Sequence, residues 1–138
     1  MTSNMKMPDR LYIDESEREI YERLRDHPLL KRRSNKELFL LAMSLGFLYD
    51  MRKPLKKPWG FVRTEYLNEE EKSLILSIGI YAEGLDALLN KKKIFSTAEE
   101  YASAGVRYLE DLAWKEPASL DKILENLLND VFRKIKRG

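Results

Sequence analysis

The sequence predicts an all-α domain: a bundle of about five helices, with a short two-stranded ribbon formed by the N-terminal segment and residues 59–66. Three observations predict it. Four stretches match the capping box, in which a short polar side chain caps a helix start and a Glu three residues on reaches back. Between them apolar residues recur at helical spacing. One long irregular segment, residues 50–67, holds the only alternating pattern. The whole chain, 1–138, reads as a single helical domain with residues 1–10 flexible.

The first helix is expected over residues 15–26, opened by "DESE", with Ile20, Tyr21 and Leu24 inward and Pro28 as its stop. "SNKE" opens the second, over residues 35–48. That helix is apolar nearly all round, which marks the centre of a core. Gly46 within it signals either an end or a close contact. "NEEE" opens the third, expected to run to Asn90 with Leu74, Ile78, Ala82, Leu85 and Leu89 in register. "STAE" is read as the start of the fourth, at Ser96, which ends near Lys115. The fifth spans residues 120–135, with Ile123, Leu124, Leu127, Leu128, Val131 and Phe132 inward. Its apolar residues fall on two faces. That fits burial in the core, or burial partly against a second copy as a homodimer. In the irregular segment "WGFVR" alternates apolar and polar residues, and "RLYID" near the N-terminus is its expected partner strand.

Composition excludes several chemistries. The 138 residues include no cysteine, so there is no disulfide, thiolate metal site or cysteine nucleophile. The longest apolar run, "LFLLAMSLGFLY", has about a dozen residues where a membrane span needs about 20. The N-terminal "MTSNMKMPDR" lacks the apolar stretch of a signal peptide, so the expected location is the cytoplasm. The single histidine, His27, precedes Pro28 and reads as a solvated residue near a helix C-terminus. Glu70-Glu71-Lys72 echoes the E-x-K of metal-dependent nucleases, but it opens a helix, where capping accounts for it. No glycine-rich phosphate loop is present. The expectation is a protein that is not an enzyme, with no metal and no cofactor.

Net charge is only +2, yet the cations cluster. One cluster is "MRKPLKKPWG", residues 51–60, followed by Arg63. Its cations Arg52, Lys53, Lys56, Lys57 and Arg63 are interleaved with Trp59 and Phe61. Cations neutralise phosphates, and aromatics offer stacking surfaces. Arg52, Lys53, Lys56, Lys57, Trp59 and Arg63 are therefore the candidate nucleic-acid-binding residues. The alternative is a solvated connection whose Trp59 and Phe61 fold back on the core. Lys31–Arg33, Lys91–Lys93 and Arg133–Arg137 form further basic groups. Trp59 is expected at the boundary of loop and core, fixed by Pro58 before it and given room to turn by Gly60 after it.

Two stretches carry a family resemblance. "ELFLLAMSLGFLYDMRKPL" is an apolar helix running into a basic, proline-containing turn, and "AEEYASAGVRYLEDL" follows about fifty residues later. Together they resemble the small accessory proteins of bacterial and archaeal DNA phosphorothioation (DNA sulfur-modification) systems called phosphorothioation-associated protein four. The resemblance covers roughly residues 37–112. It rests on Leu41, Ala42, Leu45, Gly46 and Phe47 with Arg52 and Pro54, and on Glu100, Tyr101, Ala102, Gly105 and Leu109. It implies a setting of modified DNA and its defence machinery, and no catalytic residue is carried over. Two functions follow. One is an accessory protein that binds DNA through the basic loop. The other is an interaction or assembly subunit that contacts other proteins of such a system and not DNA.

Overall fold

The most apolar stretch of the chain is also its most buried. In the structure, a computed structural model that describes residues 6–137, the elements run β1 (Arg10–Asp14), α1 (Arg18–Arg25), α2 (Asn35–Leu48), β2 (Pro58–Arg63), α3 (Glu69–Glu83), α4 (Lys91–Lys115) and α5 (Pro117–Arg137). Short 3-10 segments lie at Glu15–Glu17, Thr64–Tyr66 and Leu85–Leu89. Among the described residues this is a five-helix, mainly α bundle with one two-stranded antiparallel ribbon, as the sequence predicts. Leu38, Phe39, Ala42, Met43, Leu45 and Phe47 of α2 are wholly buried. Each large side chain of that kind contributes about 1.5–3 kcal/mol on burial, which is why the other helices gather round α2.

The 25-residue α4 crosses α2 antiparallel and very close. A Cβ on Gly46 would strike the Tyr101 carbonyl, and one on Gly105 would strike the Ala42 carbonyl. Gly46 thus marks a close contact, and two glycines let the backbones meet. α3 and α5 run parallel to α2. Lys36 pairs with Glu71 near the start of both α2 and α3, and Phe47 meets Tyr81 near their ends. Lys134 of α5 donates to the Phe47 carbonyl and to Asp50 at the far end of α2.

Asp14, Ser34 and Asn68 each complete a capping box. The fourth expected box fails. Gly84, at φ 95°, ends α3 six residues before Asn90. Asn90 then caps α4 by accepting from the Lys93 amide at 3.0 Å. Ser96 is therefore inside α4, because starting the helix at Lys91 lets Ile94 and Phe95 reach the core. Leu85 and Leu89, expected inward on α3, are exposed in the 3-10 segment that follows Gly84. α5 starts earlier than expected, with Pro117 in its first turn, where a missing N–H costs nothing.

β1 pairs with β2 from Arg10–Arg63 to Asp14–Pro58, with a bulge that breaks the register at Leu11/Tyr12. Leu11, Ile13 and Val62 point into the core, and Phe61 packs on Tyr21 at 4.5 Å. The expected strand 59–66 is strand over Pro58–Arg63 and 3-10 turn beyond it. Of the stretch 1–10 expected to be flexible, residues 1–5 lie outside the described residues. Pro8 and Asp9 are held, their carbonyls accepting from the Thr64 hydroxyl (2.7 Å) and amide (2.9 Å).

His27 corrects another expectation. It is buried rather than solvated, its Nε2 2.5 Å from the Ala113 carbonyl and its Nδ1 accepting from the Leu29 amide. Its ring meets Trp114 edge-on at 4.5 Å. α5 is less buried than its apolar content suggests: Leu128 and Phe132, expected inward, are 54% and 43% exposed.

Candidate nucleic-acid interface

The basic loop leaves α2 through Asp50, whose φ of 53° turns the chain back across the helix end. Three anchors then fix its backbone. The Met51 amide donates to the Gly46 carbonyl at 2.8 Å. The Lys53 amide donates to the Glu100 carbonyl at 3.0 Å. The Lys56 and Lys57 amides both donate to Asp14 Oδ1, at 2.7 and 2.8 Å. Asp14 Oδ2 takes the Ser16 hydroxyl and amide. With so many donors aimed at it, led by the Ser16 hydroxyl, the Asp14 carboxyl titrates well below the usual carboxylate range. One acidic side chain thus caps the first turn and pins the loop.

The side chains divide sharply. Lys53, Lys56 and Lys57 are exposed, and none makes a salt bridge or side-chain hydrogen bond among the described residues. Lys53, Lys56 and Lys57 line one cleft of about 540 Å³ with Pro54 and the 14–16 turn. Arg63 is exposed but pairs with Glu65 at 3.3 Å. Arg52 differs from the others. Its guanidinium bridges Glu83 (3.0 Å) and Glu100 (2.9 Å) and lies over the Tyr101 ring at 5.1 Å, leaving the side chain 32% exposed. It holds α3 to α4. Glu83 also accepts from Thr97 Oγ at 2.8 Å. That bond first, and Arg52 second, hold its carboxyl below the ordinary value.

Trp59 sits at the boundary of loop and core as expected, 41% exposed. Its covered face meets the guanidinium of Arg18, 3.9 Å from the ring centre, a cation–π contact that fixes both groups.

The fold adds cations outside the candidate set read from the sequence. Arg10 lies along the outer face of the ribbon, its stem against Gly60, and Arg18 covers Trp59. Lys92 lines a second cleft of about 580 Å³ with Tyr12, Pro58 and Glu99, which brings the Lys91–Lys93 group up to the ribbon. The strand pairing of "RLYID" with "WGFVR" was the available signal for Arg10. Lys92 belongs to the Lys91–Lys93 group that the sequence already shows as basic, and nothing local signals Arg18. The two remaining basic groups do not add free cations beside the lysines of the loop. Arg33 lines a groove between α3 and α5, and Lys134 is spent on Asp50.

A buried carboxyl and a half-buried one also escaped the sequence. Glu17 is fully buried and accepts from the Asp14 amide (3.1 Å) and the Ser103 hydroxyl, with Arg107 at 3.5 Å. Burial raises its pKa against those bonds. Glu99 accepts only the Tyr12 amide, at 2.9 Å, and burial pushes its pKa up to about 8.

Glu70 is exposed, and Glu71 is engaged by the Asn68 amide (2.9 Å) and Lys36 (3.1 Å). Among the described residues no three His, Cys, Asp or Glu side chains are grouped to hold a metal ion, and no helix is long and apolar enough to cross a membrane. No protein-family model matches the chain, and neither a curated protein nor a solved structure does.

Proposed function

We propose that this chain is a non-catalytic, cytoplasmic accessory protein of a DNA modification or defence system that binds the phosphate backbone of duplex DNA. The binding edge is the ribbon and loop. Lys53, Lys56 and Lys57 are its centre, Arg10 and Lys92 its flanks, and the Arg18-covered Trp59 its rigid support. One observation carries the reading: three unpaired lysines project from a loop whose backbone is anchored at three points. Holding cations in place before a ligand arrives lowers the ordering cost of binding. Arg52 drops out of the binding set, and Arg63 is secondary because Glu65 already neutralises it. The phosphorothioation setting enters through the sequence resemblance alone.

The test is binding of short DNA duplexes against salt. Five phosphate contacts give a slope of log Kobs against log[salt] of about −4.5, at about −0.9 per phosphate. Changing Lys53, Lys56, Lys57 and Arg10 together to Glu abolishes binding and leaves the helical circular dichroism intact, since all four side chains are exposed. Unchanged affinity in that variant, or no binding of the unaltered protein to duplex at low salt, overturns the reading. The second reading, an assembly subunit, is favoured by the exposure of Leu128 and Phe132 on α5.

A further inference from the structure

Between α3 and α5, over a floor made by α2, runs a groove of about 650 Å³. Leu40, Leu41, Leu74, Leu124, Leu128 and Phe132 give it an apolar wall. Leu128 and Phe132 are the exposed large apolar side chains of α5, and a contiguous apolar strip on an otherwise charged surface marks an interaction site.

The charges around the strip are ordered. The exposed face of α5 reads Asp121, Glu125, Leu128, Phe132, Lys136 along successive turns: two acids, two apolar residues, one cation. Arg137 adds positive charge at the same end as Lys136, Arg133 is matched there by Asp130 at 3.0 Å, and Lys122 is a cation near the acidic start. The groove has the same polarity. Its first end lies at the start of α3 and carries Glu69 and Glu70, both exposed; Glu69 is matched by Lys72 at 3.3 Å, and the one cation in the groove lining, Arg33, is matched by Glu37 at 3.9 Å, which leaves this end acidic.

We infer that the groove is filled by the α5 helix of a second copy of this chain, laid antiparallel to the first in a two-fold dimer. The antiparallel direction follows from the charges. A parallel pair sets Glu125 on Glu125 and Lys136 on Lys136. An antiparallel pair centred between Leu128 and Phe132 sets Leu128 on the second copy's Phe132 and Glu125 within a turn of its Lys136. It also carries the second copy's basic end to Glu69 and Glu70. The arrangement is self-complementary, as a two-fold interface requires. α5 has 21 residues and is about 31 Å long at about 1.5 Å per residue, long enough to span the groove. The groove shares no residue with the loop cleft, so the inference stands or falls independently of DNA binding.

Sedimentation equilibrium of the full chain across a concentration series tests it. The unaltered protein gives twice the 16.3 kDa monomer mass at high concentration and dissociates on dilution. Leu128→Glu with Phe132→Glu gives the monomer mass throughout, with a urea midpoint that no longer depends on protein concentration and equals that of the unaltered protein at dilutions where it is monomeric, because both side chains are exposed in the single copy. Glu125→Lys alone weakens the dimer at least several-fold by facing Lys136 with a like charge. Glu125→Lys with Lys136→Glu restores it. A monomer at every concentration overturns the inference, including the case where the groove takes a different protein. A dimer that survives Leu128→Glu with Phe132→Glu also overturns it, as does failure of the charge exchange to restore what Glu125→Lys weakens.

Discussion

Glu99→Gln isolates the energetic cost of the most perturbed half-buried carboxyl. Glu99 lies beneath the ribbon, with one hydrogen bond from Tyr12 and the negative Glu100 beside it. Lys92, Lys6 and Asp9 share its cleft without pairing with it. Its pKa in the folded protein is about 8, against 4.5 for the ordinary group. Between those values the unfolded chain loses the proton and the folded chain keeps it. The folded state then binds more protons, so stability falls as pH rises from about 4.5 to about 8 and is flat above. At about 1.36 kcal/mol per pH unit the ceiling is about 5 kcal/mol. Water entering the open cleft on ionisation reduces that to on the order of 2–4 kcal/mol. Glutamine keeps the acceptor for Tyr12 and cannot ionise. Urea unfolding of the two proteins, taken as a difference at each pH, cancels every other titrating group, including Glu17. We expect equal stability within about 0.5 kcal/mol at pH 4. At pH 8 the variant gains about 1–2 M in midpoint, with m near 2 kcal/mol per M. A difference that does not change with pH refutes the reasoning.

Two further outcomes follow from the packing. Gly105→Ala forces a methyl into the Ala42 carbonyl, where backbone on both sides cannot yield, and costs at least about 2 kcal/mol in urea unfolding; a neutral effect would mean that α2 and α4 do not cross there. Arg52→Ala leaves Glu83 and Glu100 close together without their cation and lowers stability by about 1–2 kcal/mol while DNA affinity changes less than twofold; lost affinity at unchanged stability would return Arg52 to the binding set.

The fold was legible where local chemistry decides it. Asp14, Ser34 and Asn68 begin helical turns because each finds a Glu three residues on, and α2 is central because it has no polar face. The same rule misplaced the start of α4. "STAE" satisfies the pattern, but Ser96 stands mid-helix because Asn90 caps earlier and Gly84 has already ended α3. A capping motif says that a helix can begin, and the tertiary need to bury Ile94 and Phe95 decides whether it does. His27 was misread for a similar reason. Its burial depends on Ala113 and Trp114, more than eighty residues away along the chain.

The candidate site was legible as a composition and not as a wiring. Arg52 and Lys53 are neighbours in sequence, yet Arg52 is bound between two carboxylates and Lys53 has no partner among the described residues. Lys134 and Lys136, two residues apart on α5, divide in the same way, since Lys134 closes on Asp50 and the Phe47 carbonyl. What separates a structural cation from an available one is whether the fold brings an acid within about 4 Å, and that acid is distant in sequence in both cases. The residues behind the family resemblance lie on the structural side of this division. Gly46 meets Tyr101, Gly105 meets Ala42, and Arg52 joins Glu100 over the Tyr101 ring. They build one close helix crossing and lock the start of the basic loop to it. A relative that keeps those residues keeps the platform, whereas under the proposed function its contact with an anionic partner is set by Lys53, Lys56, Lys57 and Arg10, of which only Arg10 lies outside the loop that the platform holds.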